Sequence, residues 1–256
     1  AMALIATALT RRLGAQTILD GIALTLEPGR LCVVIGPNGA GKSTLLRMLA
    51  GIDRPDSGRV SLGGAALDSL APRERARRIA HLPQAIAAHW PLNGRDIVAL
   101  GRLPHGARLE APGVADATAI AHAMTRTDTA AFADRRIDML SAGERARLAL
   151  ARVLATEAEV LLTDEPVASL DPAQQLAAMD ALRAEAARGA IVVVVLHDLA
   201  LVSRYADRVV VLADGRIVDD GPPSAALAPD MLRRVYGARF EMASIPVAVS
   251  DRSPAG

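Results

Sequence analysis

Residues Gly36 to Ser43 form a glycine-rich run that ends in a lysine and a serine, and they match the pattern G-x-x-x-x-G-K-[ST]. Glycines at 36, 39 and 41 let the backbone curl so that several N–H groups point at one phosphate. The lysine adds a positive charge near the β- and γ-phosphates, and the serine hydroxyl is a ligand for magnesium. The run therefore predicts a site for nucleotide phosphates, made of Gly36, Pro37, Asn38, Gly39, Ala40, Gly41, Lys42, Ser43 and Thr44.

Two carboxylates, Asp164 and Glu165, directly follow a second apolar run, Val160–Thr163. Parallel sheets place ligand-binding groups at such strand ends. Because neighbouring side chains of a strand point to opposite faces, we expect the two carboxylates to take different roles. Asp164 suits Mg²⁺, directly or through water, and Glu165 suits a general base for an attacking water.

The elements that position these residues are short apolar runs alternating with helical segments. The run Leu31–Ile35, before the glycine-rich loop, is continuously apolar, which is typical of a strand buried on both faces. Strands alternating with helices predict an α/β fold with a parallel sheet covered by helices. The predicted strands are Leu24–Leu26, Leu31–Ile35, Val60–Leu62, Ile79–Leu82, Val160–Thr163, Ile191–Leu196 and Val209–Leu212. The predicted helices are Lys42–Ala50, Ala142–Ala155, one opened by Pro172, and Leu199–Tyr205.

Two further local patterns refine this organisation. Asp214-Gly215 predicts a hairpin turn between Val209–Leu212 and Ile217–Val218. The stretch 90–138 is alanine-rich with interspersed prolines, and we interpret it as a helical subdomain inserted into a core made of 1–89 and 139–256. The whole chain is then one domain.

Composition restricts the function classes. The net charge of +1 over 256 residues argues against a general nucleic-acid binder, which usually carries a basic excess. The single cysteine, Cys32, excludes an intrachain disulfide, and its apolar neighbours predict a buried, unreactive thiol. The longest aliphatic run, Ile191–Leu196, is far shorter than the roughly 20 residues that cross a bilayer. We expect a cytoplasmic location, with any membrane function exerted through partners.

With the two acidic residues and the phosphate loop in place, the chain resembles the ATP-binding-cassette (ABC) transporter ATPases. Four further segments carry the resemblance, in the order and approximate spacing of the family. Leu140–Glu144 resembles the family signature, usually LSGGQ, with Ser141, Ala142, Gly143 and Glu144. Gln84 resembles the Q-loop glutamine, Asp171 the D-loop aspartate, and His197 the switch histidine.

The resemblance implies a P-loop NTPase (RecA-like) core with an antiparallel β subdomain and an inserted helical subdomain. It also implies ATP and Mg²⁺ as cofactors and a head-to-tail homodimer with ATP between the phosphate loop of one copy and the signature of the other. Ser141 and Gly143 would contact the γ-phosphate across that interface. Glu165, His197 and Lys42 would be catalytic, Ser43, Gln84 and Asp164 would hold Mg²⁺, and Asp171 would act at the dimer interface.

Weaker local similarities indicate which type of ABC transporter the chain resembles. Asp96–His105 and Met231–Gly237 are similar to importers of iron-siderophore, haem and cobalamin. That similarity implies integral-membrane permease partners, indirectly a substrate-binding protein, and a peripheral position on the cytoplasmic face of the inner membrane. Permease and binding protein would select the substrate, so the choice among these chelates stays open.

The chain departs from the family pattern at three positions. Leu13 stands where an adenine-stacking aromatic is usual, Ala142 replaces a signature glycine, and Glu144 replaces the usual glutamine. Ser141 and Glu144 also fit an ordinary helix-capping box, and both interpretations are compatible. The competing functions are a cassette ATPase acting on ribosomes or DNA without a permease, a regulatory module with little hydrolysis, and an exporter ATPase.

Overall fold

The structure, a computed structural model, describes residues 2–84 and 92–241. Its strands are β1 (Leu4–Leu13), β2 (Gln16–Leu26), β3 (Leu31–Ile35), β4 (Ser57–Leu62), β5 (Ala65–Ala66), β6 (Ile79–Leu82), β7 (Val160–Asp164), β8 (Ile191–Val195), β9 (Arg208–Ala213) and β10 (Arg216–Gly221). Its α-helices are α1 (Lys42–Leu49), α2 (Pro72–Arg78), α3 (Gly94–Ala99), α4 (Val114–Arg126), α5 (Ala142–Ala155), α6 (Pro172–Ala187), α7 (Leu199–Tyr205), α8 (Pro223–Ala226) and α9 (Pro229–Tyr236). Short 3-10 segments occupy Leu67–Ser69, Leu100–His105, Ala130–Phe132 and Ile137–Met139.

The central sheet has the strand order β10-β9-β3-β8-β7-β6, and its pairs from β9 to β6 are parallel. Every residue of β3, β7 and β8 is buried, which explains why β3 and β8 are continuously apolar and why β7 is apolar up to Leu162. The predicted α/β fold is therefore confirmed. At one edge β10 pairs antiparallel with β9 through the predicted hairpin, whose turn residues Asp214 and Gly215 both have positive φ.

Alternation along β3 divides the core between the two faces of this sheet. Leu31, Val33 and Ile35 face the larger core, which contains the apolar sides of α3 to α7. Cys32 and Val34 face a second core built with α1 and the other sheet. Cys32 is 3% exposed, and burial raises its pKa to about 12, which agrees with the prediction of an unreactive thiol.

The second sheet is antiparallel, with the order β2-β1-β4-β5. The sequence predicted only a short strand at Leu24–Leu26, which is the end of β2. The structure instead has a long hairpin of β1 and β2. Register shifts along the hairpin, where Ala8 and Gly21 take left-handed conformations, break the period-2 apolar pattern that identifies a strand. Its exposed face also carries polar residues.

Helices α3 and α4 pack against α5 and form, with the 3-10 segments around them, a helical layer between β6 and β7 in sequence. Asn93 and Asp96 close a capping box at the start of α3. Residues 90 and 91, where the predicted subdomain begins, lie outside the described residues, and the division into core and subdomain stays a prediction. None of the helices in 2–84 and 92–241 is long and apolar enough to cross a bilayer.

Candidate nucleotide site

The glycine-rich loop runs from the end of β3 to the start of α1 and is fixed by close packing at both ends. Gly36 has φ 149°, and a β-carbon there would lie 2.0 Å from the carbonyl oxygen of Leu212 on β9. Gly41 has φ 98°, and a β-carbon would lie 2.7 Å from Leu19 Cδ2 on β2. Both positions therefore require glycine, for lack of space as well as for backbone conformation.

Lys42 is the first residue of α1 and is 7% exposed. Its ammonium donates to the carbonyl oxygens of Gly36 (2.8 Å) and Pro37 (2.9 Å), so it spans the loop with one of its three hydrogens left for an anion. Burial lowers its pKa, and the carboxylates of Glu165 and Asp164 oppose that shift. Since no side chain caps α1, the N–H groups of its first turn are available to the same anion.

Asp164 ends β7 and is 4% exposed. Burial raises its pKa, while a hydrogen bond from the Ser43 side chain opposes the shift. Its Oδ1 atom is buried and has no hydrogen-bond partner among the described residues. A buried carboxylate oxygen without a partner, next to a serine hydroxyl, is a donor set that fits a hard cation such as Mg²⁺, which takes few protein ligands and completes its shell with water and phosphate oxygens.

Glu165 and His197 form the second half of this cluster. His197 Nε2 lies 2.7 Å from Glu165 Oε1. Glu165 has φ 51°, and its N–H donates to the Val195 carbonyl at the end of β8. The strand ends at Asp164, so the side-chain alternation expected across Asp164 and Glu165 does not apply. A left-handed residue, and not the strand pleat, directs the glutamate toward the histidine.

The signature residues lie at the start of α5. Ser141 is its N-cap, and Ser141 and Glu144 form both bonds of the capping box, as the sequence allowed. Ala142 is exposed, so its methyl group has room in the single chain. A β-carbon at Gly143 would lie 3.1 Å from the carbonyl oxygen of Ser169, which places the signature beside the segment that precedes α6.

Asp171 caps α6 by accepting the Gln174 N–H at 2.9 Å. Gln84, just after β6, is exposed at the edge of the described region. No hydrogen bond or ion pair within 2–84 and 92–241 joins these two residues or the signature to the phosphate-loop cluster. The structure thus brings Lys42, Ser43, Asp164, Glu165 and His197 together with the rest of the loop 36–44. It leaves Gln84, Asp171 and the signature residues apart from this cluster.

Several contacts at the site were not predicted from sequence. The carbonyl oxygens of Leu212 and Ile18 pack against Gly36 and Gly41 through backbone atoms, which carry no residue-type signal, and the Leu19 side chain packs against Gly41. The Tyr236 hydroxyl on α9 faces the Gly36 backbone, and burial raises its pKa. Arg135 bonds the signature residue Glu144, at a nine-residue spacing that no motif describes. Leu13, at the end of β1, is 60% exposed, as a residue available to contact a base would be.

Comparisons with known proteins agree with this geometry. Residues 19–168 match the sequence profile of the ABC transporter family. The hemin import ATP-binding protein HmuV of Rhodococcus jostii is 44% identical over 234 residues, which cover 91% of this chain and 80% of that protein. The cobalamin import ATP-binding protein BtuD of Halobacterium salinarum is 41% identical over 246 residues, 96% of this chain and 61% of the longer relative.

Solved structures show the same fold. A metal-chelate type ABC transporter in an inward-facing conformation is 26% identical, with a TM-score of 0.79 over 93% of this chain and 90% of that one. An ATP-binding cassette solved in its ADP conformation gives a TM-score of 0.81 over 93% and 100% of the two chains. At 21% identity, this second likeness concerns the fold alone.

Proposed function

Because the chain belongs to the ABC transporter family, we propose that it is the ATP-hydrolysing subunit of an importer of metal chelates. The observation that carries the proposal is the Glu165–His197 pair, 2.7 Å apart, beside a phosphate loop whose lysine is buried. A regulatory module with little hydrolysis would have no need of a general base held by a histidine. This pair therefore favours an active ATPase.

The nucleotide phosphates are held by the loop 36–44, through its N–H groups and the Lys42 ammonium. Ser43 and Asp164 would hold Mg²⁺, with Gln84 as a further ligand. This assignment is supported by the unpartnered Asp164 Oδ1 beside the serine hydroxyl. When bound, Mg²⁺ neutralises phosphate charge.

Hydrolysis follows from the placement of Glu165. A carboxylate only accepts hydrogen bonds, so the histidine Nε2–H donates to Oε1 and leaves Oε2 free to accept a proton from water. The water oxygen then attacks the γ-phosphorus, its proton passes to Glu165, and the bond to the ADP oxygen breaks. The remaining N–H of the Lys42 ammonium donates a hydrogen bond to the phosphate oxygens and stabilises the charge that they carry.

A second copy completes the site. In one chain the signature and Asp171 make no described bond to the phosphate-loop cluster, and Ser141 and Ala142 are exposed at the start of α5. A helix N-terminus is an anion site, so an ATP bound to one copy is received by Ser141, Ala142, Gly143 and Glu144 of the other, with Asp171 at the interface. This arrangement is the head-to-tail homodimer.

The substrate class follows from the relatives, which are named for hemin import and cobalamin import. We assign this chain to the same class, as a peripheral subunit on the cytoplasmic face of the inner membrane that drives integral-membrane permease subunits. A substrate-binding protein delivers the chelate from the other side.

Uptake by cells tests this proposal. A host strain lacking this chain is supplied with labelled hemin, cobalamin and an iron-siderophore, with wild-type or Glu165→Gln protein restored on a plasmid. Uptake of one chelate should fall in the deletion strain and return only with the wild-type chain. Unchanged uptake of all three chelates would contradict the importer assignment, whatever the ATPase rate of the purified chain.

A further inference from the structure

The signature carries a glutamate whose two carboxylate oxygens are both engaged. Glu144 Oε2 accepts the Ser141 backbone N–H at 2.7 Å, and Oε1 accepts from Arg135 Nη1 at 3.1 Å. In return, Ser141 Oγ accepts the Glu144 N–H at 3.2 Å. The Ser141 backbone N–H and side chain, together with Arg135, lower the pKa of the Glu144 carboxyl, so Glu144 is held as a carboxylate.

Arg135 is itself held in place from several sides. Its Nη2 donates to the Met139 carbonyl at 3.1 Å, and its guanidinium lies 5.6 Å from the centre of the Phe132 ring. Arg147 of α5 also contacts that ring, with its guanidinium carbon 5.1 Å from the ring centre. The guanidinium is thus oriented before any ligand arrives, which limits the entropy lost when it acts.

The backbone of Arg135 is joined to the segment that leads into α3. Its carbonyl accepts the Gly94 N–H at 2.9 Å, and the neighbouring bonds Arg95 N–H to Ala133 O and Ile137 N–H to Leu92 O extend the pairing. The signature cap, Arg135 and the start of the helical layer therefore form one hydrogen-bonded unit.

The Glu144 carboxylate places a negative charge at the start of α5, where the proposed dimer binds the negatively charged ATP. The triphosphate of the partner copy arrives at the same N-terminus, and like charges at short range repel. Arg135 is the cation in direct contact with Glu144, and the pair is only partly exposed, at 47% and 21% of the two side chains. The structure thus supplies a counter-charge at the one signature residue that carries charge.

We propose that Arg135 is a positioning residue of the ATPase, which neutralises Glu144 and holds the Ser141 cap so that the signature accepts the partner's ATP. This inference rests on the proposed function, since it presumes the ATP-bound homodimer. Arg135 does not touch the reacting atoms in a single chain; it acts through Glu144.

The test is ATP-driven dimerisation of the full chain in a Glu165→Gln background, which slows hydrolysis. Arg135→Gln, which removes the charge but keeps an amide donor, should raise the ATP concentration for half-dimerisation about tenfold, the coupling typical of one hydrogen-bond network. Binding of a fluorescent ATP analogue to the phosphate loop of the monomer should not change. Arg136→Gln removes the same charge one residue later, where its partner is Asp138, and should leave dimerisation unchanged.

The decisive arm is the double change Arg135→Gln with Glu144→Gln, compared with Glu144→Gln alone. If the arginine serves to neutralise the carboxylate, removing that carboxylate should restore dimerisation toward the Glu144→Gln level. Dimerisation unaffected by Arg135→Gln, or a defect that Glu144→Gln does not relieve, would overturn the inference while the dimer stands. If the Glu165→Gln parent binds ATP and stays monomeric, the ATP-bound homodimer of the proposed function is refuted, and this inference is refuted with it.

Discussion

His197 Nε2 lies 2.7 Å from Glu165 Oε1, although 32 residues separate the two in sequence. The contact exists because β7 and β8 are adjacent parallel strands, so their carboxyl ends meet at the same edge of the sheet. The left-handed conformation of Glu165 then turns its side chain toward the histidine. A conformation that costs about 1–3 kcal/mol is retained at the position where a general base is needed.

The first prediction concerns removal of this base. Glu165→Gln keeps the size of the side chain but cannot accept a proton from water, so ATP hydrolysis should fall by about 10²–10⁴-fold. ATP binding should persist, because the phosphate loop is unchanged. Single-turnover hydrolysis and equilibrium binding separate the two effects.

The same variant reports on assembly. Its mass in solution, measured with and without ATP and Mg²⁺, should shift from monomer to dimer only when both are present. Steady-state hydrolysis equal to that of the wild-type chain would remove Glu165 from the catalytic role. A monomer that still binds ATP would favour a regulatory module.

The second prediction separates binding from chemistry. Lys42→Ala removes the ammonium that spans Gly36 and Pro37 and faces the phosphates, so affinity for ATP itself should fall. Loss of one charge-assisted hydrogen bond costs about 1.5–3 kcal/mol, roughly 10- to 100-fold in dissociation constant. Arg47→Ala, on the same helix but paired with Asp53, is the matched control. Equal ATP affinities for wild-type and Lys42→Ala chains, measured by titration calorimetry, would refute the assignment.

How much the sequence predicts depends on whether a residue acts through its type or through its surroundings. The phosphate loop was predicted because glycine, lysine and serine each have a chemical reason to stand there, and Leu31–Ile35 because full burial demands an unbroken apolar run. The sequence predicted α5 at about Ala142–Ala155 and α7 near Leu199–Tyr205, which agrees with the observed helices, capped by Ser141 and Asp198.

What the sequence does not predict depends on backbone contacts and on strand irregularities. The Leu212 carbonyl that excludes a side chain at Gly36 would do so whatever residue stood at 212. The β1–β2 hairpin was missed because bulges at Ala8 and Gly21 break its alternation. The direction of the Glu165 side chain does not follow from strand alternation, because its positive φ cannot be predicted from the residue type.

The third prediction uses His81 on β6, whose buried Nε2 has no hydrogen-bond partner within 2–84 and 92–241. Burial, assisted by the cations Arg47 and Arg152 and opposed by Asp53, lowers the pKa of His81 to about 4. The native chain therefore keeps this histidine neutral, while the unfolded chain protonates it below about pH 6.5. Stability present above that pH should be lost as the pH falls from about 6.5 to about 4.

The measurement is the melting temperature of His81→Gln at pH 7.5 and pH 5, compared with the wild-type chain. The melting temperature of the variant should fall less between pH 7.5 and pH 5 than that of the wild-type chain, because residue 81 then takes up no proton on unfolding. His122→Gln, at an exposed position of α4, serves as the control and should behave as wild type. Identical pH dependence of His81→Gln and wild type would contradict a buried neutral histidine.

The last prediction concerns Arg102, which is 6% exposed and ties the helical layer together. Its Nε donates to Asp116 at the start of α4 (2.9 Å), and its Nη1 donates to the Ala155 carbonyl at the end of α5 (2.9 Å) and to Glu157 (2.8 Å). Arg102→Met fills similar space but leaves Asp116 without its cation.

Breaking a buried ion pair typically costs about 3–5 kcal/mol, and the solvent exposure of Glu157 reduces that, so we expect a loss of about 2–4 kcal/mol. Urea unfolding should show a lower midpoint with an unchanged m value, since the surface exposed on unfolding stays the same. Arg136→Met, whose partner Asp138 is exposed, should leave the midpoint unchanged.

Because Arg102 shares no contact with the phosphate loop, ATP affinity of the folded Arg102→Met variant should equal that of the wild type. A weakened affinity would instead show that the helical layer and the nucleotide site are energetically coupled within one chain, and equal midpoints for the two variants would show that the arginine network adds nothing to stability.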